Sequence, residues 1–497
     1  MPSPSSTCAS PRCRSPRRRC GERSGTRQGA THKEDLAIAF KDIRSFLDYL
    51  GERGELAVVD QSVDVEFEIA AYIRKASDHD GPAFLFNDVK GFAHRVVGGV
   101  FCTPSKAVNA LGAEDHTDAQ RRFADGLKRP LEPVIVDTGP CRDIVMTGDD
   151  IDLTSLPIPR YSEQDPGRFV TVGVEIVKDF ESGTRNAGIY RMQLFGPTEM
   201  TLAASPYSDW HAIFAKTERA GRPLEMAVAI GVDPLIQLAT QVRVPLGVDE
   251  LALAGGLHGA PVEVVRCETI DLEVPATAEI VLEGVFDTGE RRDEGPFGEM
   301  TGYVGPGGPE PVFRCTAVTM RTDAVYQAGL TGVPVTENHV LKLLPMEVNL
   351  RTGLDQIYPD ITGVHYAPEG GAEFLAIVGL RQRYVNQAKN VLLSALGSVA
   401  HPKMVIVVDD DIDIYNPTEV WWAVLTRAQP ADDVIIIPRA AGGQLDPSAP
   451  SKFGSSLMGI DATRPFGEPF PEVVRIPGVE NVPDWSEWIR TSRPPFG

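Results

Sequence analysis

The spacing of apolar positions changes twice along the chain, and each change marks a different kind of structure. From Leu36 to Gly51 (LAIAFKDIRSFLDYLG) apolar residues recur at helical spacing, which predicts a helix. A strand is expected at Glu55-Leu56-Ala57-Val58-Val59, a helix over 69–76, and strands over 83–86 and 96–101. From 134 to 330 the pattern becomes strand-like, with β-type runs at 134–136, 169–177, 189–194, 200–203, 227–230, 261–270, 278–286 and 313–320. Helices interrupt near 208–220 and 249–257. Many strands with turns between them predict a barrel or closed sheet. Beyond a bridge at 331–345, strands at 363–367, 376–380, 404–408 and 434–437 alternate with helices near 383–396 and 417–427, the order of a layered α/β domain. The expected organisation is a leader over 1–31, an α+β domain over 32–130, a β-rich domain over 131–330, a linker over 331–345 and an α/β domain over 346–497.

Composition narrows the class. With 497 residues, 42% apolar and 24% charged, the chain can bury large cores as an ordinary globular protein. The net charge of −21 argues against nucleic acid as a partner. No apolar run reaches the roughly 18 residues a membrane helix needs. Residues 1–31 differ from the rest, holding seven Arg, no Lys and three of the seven Cys. They lack the apolar core of a signal peptide and are expected to be a disordered basic leader. Cys102, Cys141, Cys267 and Cys315 show neither a CxxC metal pattern nor a disulfide framework, so a reducing cytoplasm is expected.

The chemistry-bearing segment is Glu294-Gly295-Pro296-Phe297-Gly298-Glu299, followed by Met300-Thr301-Gly302-Tyr303. Gly and Pro disfavour a continuous helix and predict a tight turn. On a regular strand residues five apart face opposite ways; a turn can instead bring Glu294 and Glu299 together, one holding charge while the other moves a proton. A second polar cluster lies in Arg185–Phe195 (RNAGIYRMQLF), where Asn186 and Arg191 are also five apart. A bulge at Gly188 on one strand is expected to bring both to one side. Arg offers a fork of donors for a carboxylate, and Asn a neutral oxygen for a hard cation.

These motifs occur in an order that is similar to one family. NxGxYR, VPLGVDE (244–250), EVVRC–ETIDLEVPATAEIVLEG (263–284), EGPFGE–MTGY (294–303) and VVDDDIDIYNPTEVWWAVLTR (407–427) together resemble the UbiD-like decarboxylases over about residues 36–480. The resemblance implies an N-terminal α+β domain, a central flavin-reductase-like split β-barrel and a C-terminal α/β dimerisation domain. It implies a non-oxidative, reversible decarboxylase of an aromatic, heteroaromatic or α,β-unsaturated carboxylic acid. The implied cofactors are prenylated FMN, supplied by a partner flavin prenyltransferase, a divalent ion, usually Mn²⁺, and K⁺. The assembly implied is a homodimer or larger homo-oligomer. The family's Glu-Arg-Glu triad falls on Arg191, Glu294 and Glu299. Arg191 would orient the substrate carboxylate and hydrogen-bond Glu294, and Glu299 would deliver a proton after CO₂ leaves.

For cofactor contacts the resemblance implies Asn186, Ile189, Tyr190, Arg191, Pro206, Tyr207 and Glu250, and for the divalent ion Asn186 and Glu250. The family's His is missing. Counting back from Gly231-Val232-Asp233-Pro234 places Tyr207 there, with His211 the nearest histidine. The third ligand is thus open between Tyr207, His211 and neither. Ala239, Thr240, Val242, Glu250 and Arg427 are the implied surroundings of K⁺. Asp409, Asp410, Asp411 and Asp413 are expected to form a structural turn rather than a metal site. Trp421 and Trp422 are expected in core or dimer packing, and His339 and His401 are candidates for the substrate cleft walls.

Two other readings come from the same residues. One is an ordinary FMN-dependent oxidoreductase on a split barrel, although no GxGxxG fingerprint supports a nicotinamide site. The other is a non-catalytic subunit of a decarboxylase complex, suggested only by the missing His.

Overall fold

The computed structural model describes residues 40–398, 402–443, 445–451 and 454–482. The leader over 1–31 and His401 lie outside the described residues. The first helix runs Ile43–Glu52. Asp42 caps it by accepting from the Ser45 N–H, and the Ser45 hydroxyl side chain returns to the Asp42 backbone, a reciprocal box that satisfies two end donors. Ile43, Phe46, Leu47 and Leu50 are its buried face, the stripe that helical spacing calls for.

A four-stranded sheet follows in the order Leu56–Val59, Ala83–Phe86, Arg95–Gly98, Val325–Ala328. The last strand pairs parallel with Arg95–Gly98, so the chain returns to its first sheet more than two hundred residues later. Local pattern carries no sign of that return. Helices Pro104–Ala110 and His116–Leu127 were not expected from the sequence.

The central part is a nine-stranded sheet. Its spine is the antiparallel pair Ile280–Glu294 and Gly308–Met320, registered from Ile280 against Met320 to Glu294 against Gly308. Here the single bulged strand expected over 185–195 is corrected. Asn186 lies on Arg185–Gly188, an end strand that pairs with Val174–Lys178, whereas Arg191 opens Arg191–Leu194, near the other end of the sheet. Only Ile189 and Tyr190 join them. Three residue steps reach at most about 11 Å, so the sheet curls until its two ends nearly meet. Gly188 permits the break, since a Cβ there would sit 2.6 Å from the Tyr190 ring.

The bridge over 331–345 is half helix. Helix Glu337–Asp355 begins inside it, with Pro345 in its interior, and leads into a five-stranded sheet ordered Ile361–Tyr366, Leu375–Leu380, Met404–Asp409, Gly454–Ala462, Val434–Ala441. Its centre is parallel and its outer pairs antiparallel. Ala376, Val378, Val405 and Val407 face one core with helix Gln387–Leu396, while Ile377, Ile406 and Val408 face another with helix Pro417–Arg427. This is the alternation of a strand buried on both sides. On the outer side of Pro417–Arg427, Trp421, Trp422 and Leu425 are exposed, so the tryptophans are not core residues of this chain.

Candidate active site

Glu294 ends the long strand of the central sheet, and Glu299 follows the short strand Phe297–Gly298. Both reach Arg191. The guanidinium Nε and Nη2 donate to the two Glu294 oxygens at 2.8 and 3.0 Å, and Nη1 donates to Glu299 Oε1. Glu294 is buried, and the guanidinium carbon lies 5.1 Å from the centre of the Phe297 ring. Burial alone would lower the affinity of Arg191 for its proton, but the bond to Glu294 and the charge of Glu299 outweigh it and push the pKa up. The guanidinium is therefore a fixed cation with one edge locked by Glu294.

The loop carrying Glu299 is pinned at both ends. Gln193 Oε1 accepts from the Gly295 N–H at 2.8 Å, and His339 Nε2 donates to the Met300 carbonyl at 2.6 Å. The expected role of His339 as a cleft wall is corrected. It is fully buried at the start of helix Glu337–Asp355, its Nδ1 accepts from the Thr336 N–H, and burial lowers its pKa to about 4. Its neighbour Asn338 lines the cleft instead. Gly305 lets the loop pack closely, because a Cβ there would come within 2.8 Å of Glu299 Oε1.

Two adjoining chambers meet around Ile189 and Tyr190. The smaller, about 280 Å³, is lined by Arg191, Phe297, Glu299, Asn338 and Leu445. The larger, about 520 Å³, is lined by Asn186, Asp209, Thr240, Val242, Arg243 and Glu250. Ser205, Tyr207, Arg243, Lys342 and Glu373 border both. Pro206, Ala239 and His211 line neither.

The larger chamber holds polar atoms that the protein leaves incomplete. Asn186 Nδ2 donates to Glu250 Oε1 at 3.0 Å, but the buried Asn186 Oδ1 has no partner among the described residues. Glu250 Oε2 accepts from the Ala187 N–H at 2.8 Å, and burial pushes the Glu250 carboxyl up to about 7. Asp249 holds Glu250 in place by capping helix Glu250–His258 through the Leu251 N–H, while Arg185 clamps Asp249 at 2.7 Å. Beneath the Ile189–Tyr190 link, the fully buried Glu175 accepts from the Tyr190 N–H at 2.9 Å, and burial holds its carboxyl well above the usual range. A buried acceptor with no donor calls for an unseen partner, and an amide oxygen beside a carboxylate suits a hard cation.

Arg427 is placed elsewhere. It donates to Asp409 at 2.7 Å and Asp411 at 2.9 Å, with Arg464 on the same pair of acids. The acidic run is therefore an ion-paired turn. Another cluster was not anticipated: among the described residues, His116, Glu347 and His365 bring their ligating atoms within 4.8 Å of one another. Asp209, Arg243, Lys342 and Glu373 were also missed; charged residues flanking apolar runs were their only sequence signal.

The N-terminal, Rift-related and C-terminal domains of the family described as 3-octaprenyl-4-hydroxybenzoate carboxy-lyase, UbiD, match residues 47–125, 133–334 and 339–462. An uncharacterized protein of Archaeoglobus fulgidus is 35% identical over 86% of this chain and 92% of its own. The UbiD-class enzyme HmfF from Pelotomaculum thermopropionicum, in complex with FMN, is 38% identical with a TM-score of 0.83, covering 89% of this chain and 99% of that one. An evolved dimeric form of HmfF in complex with prFMN is 37% identical, with a TM-score of 0.81 over 90% of this chain and 99% of that one. Vanillic acid decarboxylase of Sedimentibacter hydroxybenzoicus is 30% identical, with a TM-score of 0.81 over 91% of this chain and 99% of that one.

Proposed function

The chain belongs to the UbiD family of carboxy-lyases, and on that premise we propose how its own residues carry out a flavin-dependent decarboxylation. The decarboxylases among its relatives make it an FMN-dependent carboxy-lyase and disfavour the oxidoreductase and non-catalytic readings. The observation that carries the reading is Arg191, held between Glu294 and Glu299 at the wall of the smaller chamber.

We read the cofactor as prenylated FMN, made by a partner flavin prenyltransferase and seated against the Asn186–Arg191 segment in the curled sheet, which we take as a split barrel. When bound, that cofactor supplies the electron sink that makes loss of CO₂ accessible. The residues do the rest. Glu294 locks two donors of Arg191, leaving the Nη1 edge to orient the substrate carboxylate. The substrate replaces Glu299 on that edge; released from the guanidinium, Glu299 takes up a proton from solvent and gives it to the carbon that CO₂ has left, returning to its carboxylate form. Phe297 and Leu445 give the chamber apolar walls, and its volume of about 280 Å³ suits a single-ring aromatic or heteroaromatic acid or a short α,β-unsaturated one.

The partnerless Asn186 Oδ1 and Glu250 would hold a divalent ion, Mn²⁺ or similar, against the cofactor phosphate, with Arg243 and Lys342 adding positive charge nearby. Thr240 and Val242, on the same wall, are kept as neighbours of K⁺. The proposed division is a flavin domain over 131–330 between an α+β domain over 32–130 and a dimerisation domain over 346–497. The exposed Trp421, Trp422 and Leu425 are the surface we assign to a homodimer. The four cysteines among the described residues are free, which fits a cytoplasmic location.

The test is a panel of carboxylic acids offered to protein co-expressed with a flavin prenyltransferase, alongside Glu299→Gln. The expected result is CO₂ release from at least one acid by the native chain and none by the variant, with equal cofactor content. Turnover by Glu299→Gln at the native rate would refute the proton-donor assignment.

A further inference from the structure

We propose that Asp209 is the third protein ligand of the divalent ion, completing an all-oxygen donor set with Asn186 and Glu250. The inference rests on reading the larger chamber as the site of the cofactor phosphate and its ion. It deepens that reading at the position where the family's histidine is absent from this chain.

Three observations converge on Asp209. Asn186 is only 6% exposed and its Oδ1 has no partner, while its Nδ2 is engaged by Glu250. The amide is therefore oriented by a bond on one side and offers a bare acceptor on the other. Glu250, 3% exposed, meets a backbone N–H and that amide; neither brings a positive charge. Asp209 lines the same chamber and also shares with Asn186 the walls of a smaller void beside it.

Helix phase then decides between Asp209 and His211. Asp209 is the first residue of helix Asp209–Arg219, whose cap is Ser208. Residues two apart on a helix point about 200° away from each other. With Asp209 on the chamber wall, His211 cannot share it, and His211 indeed lines neither chamber. Tyr207 borders the chamber but is 60% exposed, and its neutral phenol is a poor ligand beside two carboxylates. A carboxylate at the first position of a helix is favourable on its own; it is the orphaned Asn186 oxygen on the same wall that calls for a cation.

The donor set has a chemical consequence. One amide oxygen, two carboxylates and a phosphate form a hard site suited to Mg²⁺ or Mn²⁺. Without imidazole it lacks the nitrogen that favours Zn²⁺, Ni²⁺ and Cu²⁺.

The experiment uses the full chain carrying its flavin, loaded with Mn²⁺ alone, with bound manganese measured by elemental analysis and its ligands by pulsed electron paramagnetic resonance. The native protein is expected to bind Mn²⁺ without the nitrogen couplings of a coordinated imidazole. Asp209→Asn is expected to weaken Mn²⁺ binding by about tenfold or more, and His211→Gln to leave it unchanged. Imidazole couplings that vanish in His211→Gln would overturn the assignment, as would native-level binding by Asp209→Asn. If the native flavoprotein binds no Mn²⁺ at all, the reading of the chamber fails and this inference with it; if native and Asp209→Asn proteins bind alike, only Asp209 is lost.

Discussion

Glu347 and Glu250 are both buried carboxylates, at 0% and 3% exposure, and the protein surrounds them in opposite ways. Glu347 accepts from His116 at 2.6 Å, His365 at 2.7 Å, Gln120 at 2.8 Å and the Tyr366 N–H at 3.0 Å. Burial would raise its pKa, but the charge and bond of His116, followed by those of His365, hold it down at about 2. Tyr415 packs edge-on against His116 and tilted against His365. The knot ties helix His116–Leu127 to helix Glu337–Asp355 and strand Ile361–Tyr366, and every Glu347 lone pair has a donor. Among the described residues Glu250 meets no cation, and the amide beside it has a bare oxygen. Completeness marks a cluster that holds the fold together, and incompleteness marks one that waits for a ligand.

Substitutions in the two clusters are expected to separate activity from stability. Glu299→Gln is expected to lower kcat by about 10²- to 10⁴-fold while moving the melting temperature by no more than about 2 °C; steady-state rates and a thermal melt read both. Glu347→Ala is expected to do the reverse, costing about 3 kcal/mol of stability, the scale for breaking a buried ion pair. Denaturant melts would reveal this loss, and an unchanged midpoint would dissolve the distinction.

A finer cut uses Gly305→Ala. Its Cβ would come within 2.8 Å of Glu299 Oε1 and displace the carboxylate by a few tenths of an ångström, lowering kcat by about tenfold with little change in melting. The smallest effect is on pH. The pKa of His116 is raised because Glu347 outweighs its burial, so its contribution is complete below the unfolded value near 6.5 and is lost as pH rises through the folded one. Glu347, depressed to about 2, contributes above its unfolded value near 4.3 and loses that contribution only as pH falls through about 2. Melting temperature is therefore expected to decline as pH rises above about 6.5, less steeply in His116→Gln than in the native chain.

What was legible in the sequence was local. Period-2 runs located most strands of the central and last sheets, and the EGPFGE turn pointed to a meeting of Glu294 and Glu299 that the structure makes through Arg191. Contacts fixed by chain return were not legible. Val325–Ala328 completes the first sheet, and Glu347 meets a histidine 231 residues away; no short window contains either partner. Helix phase was the other blind spot. An ungapped count put Tyr207 at the metal and left His211 as the nearest alternative; Tyr207, ahead of the helix, does border the chamber, whereas His211, two positions after Asp209 on helix Asp209–Arg219, lines neither chamber. His339 misled for a related reason: a histidine after Thr-Glu-Asn resembles a cleft residue until its ring proves to be the cap of its own helix.

The most direct test of the account is the mass of the cofactor released on denaturing protein co-expressed with a flavin prenyltransferase. The account predicts a mass one prenyl unit above FMN. Plain FMN would contradict the decarboxylase reading of the chamber's cofactor, and a colourless protein with no flavin would contradict the claim that the incomplete chamber is built to be filled.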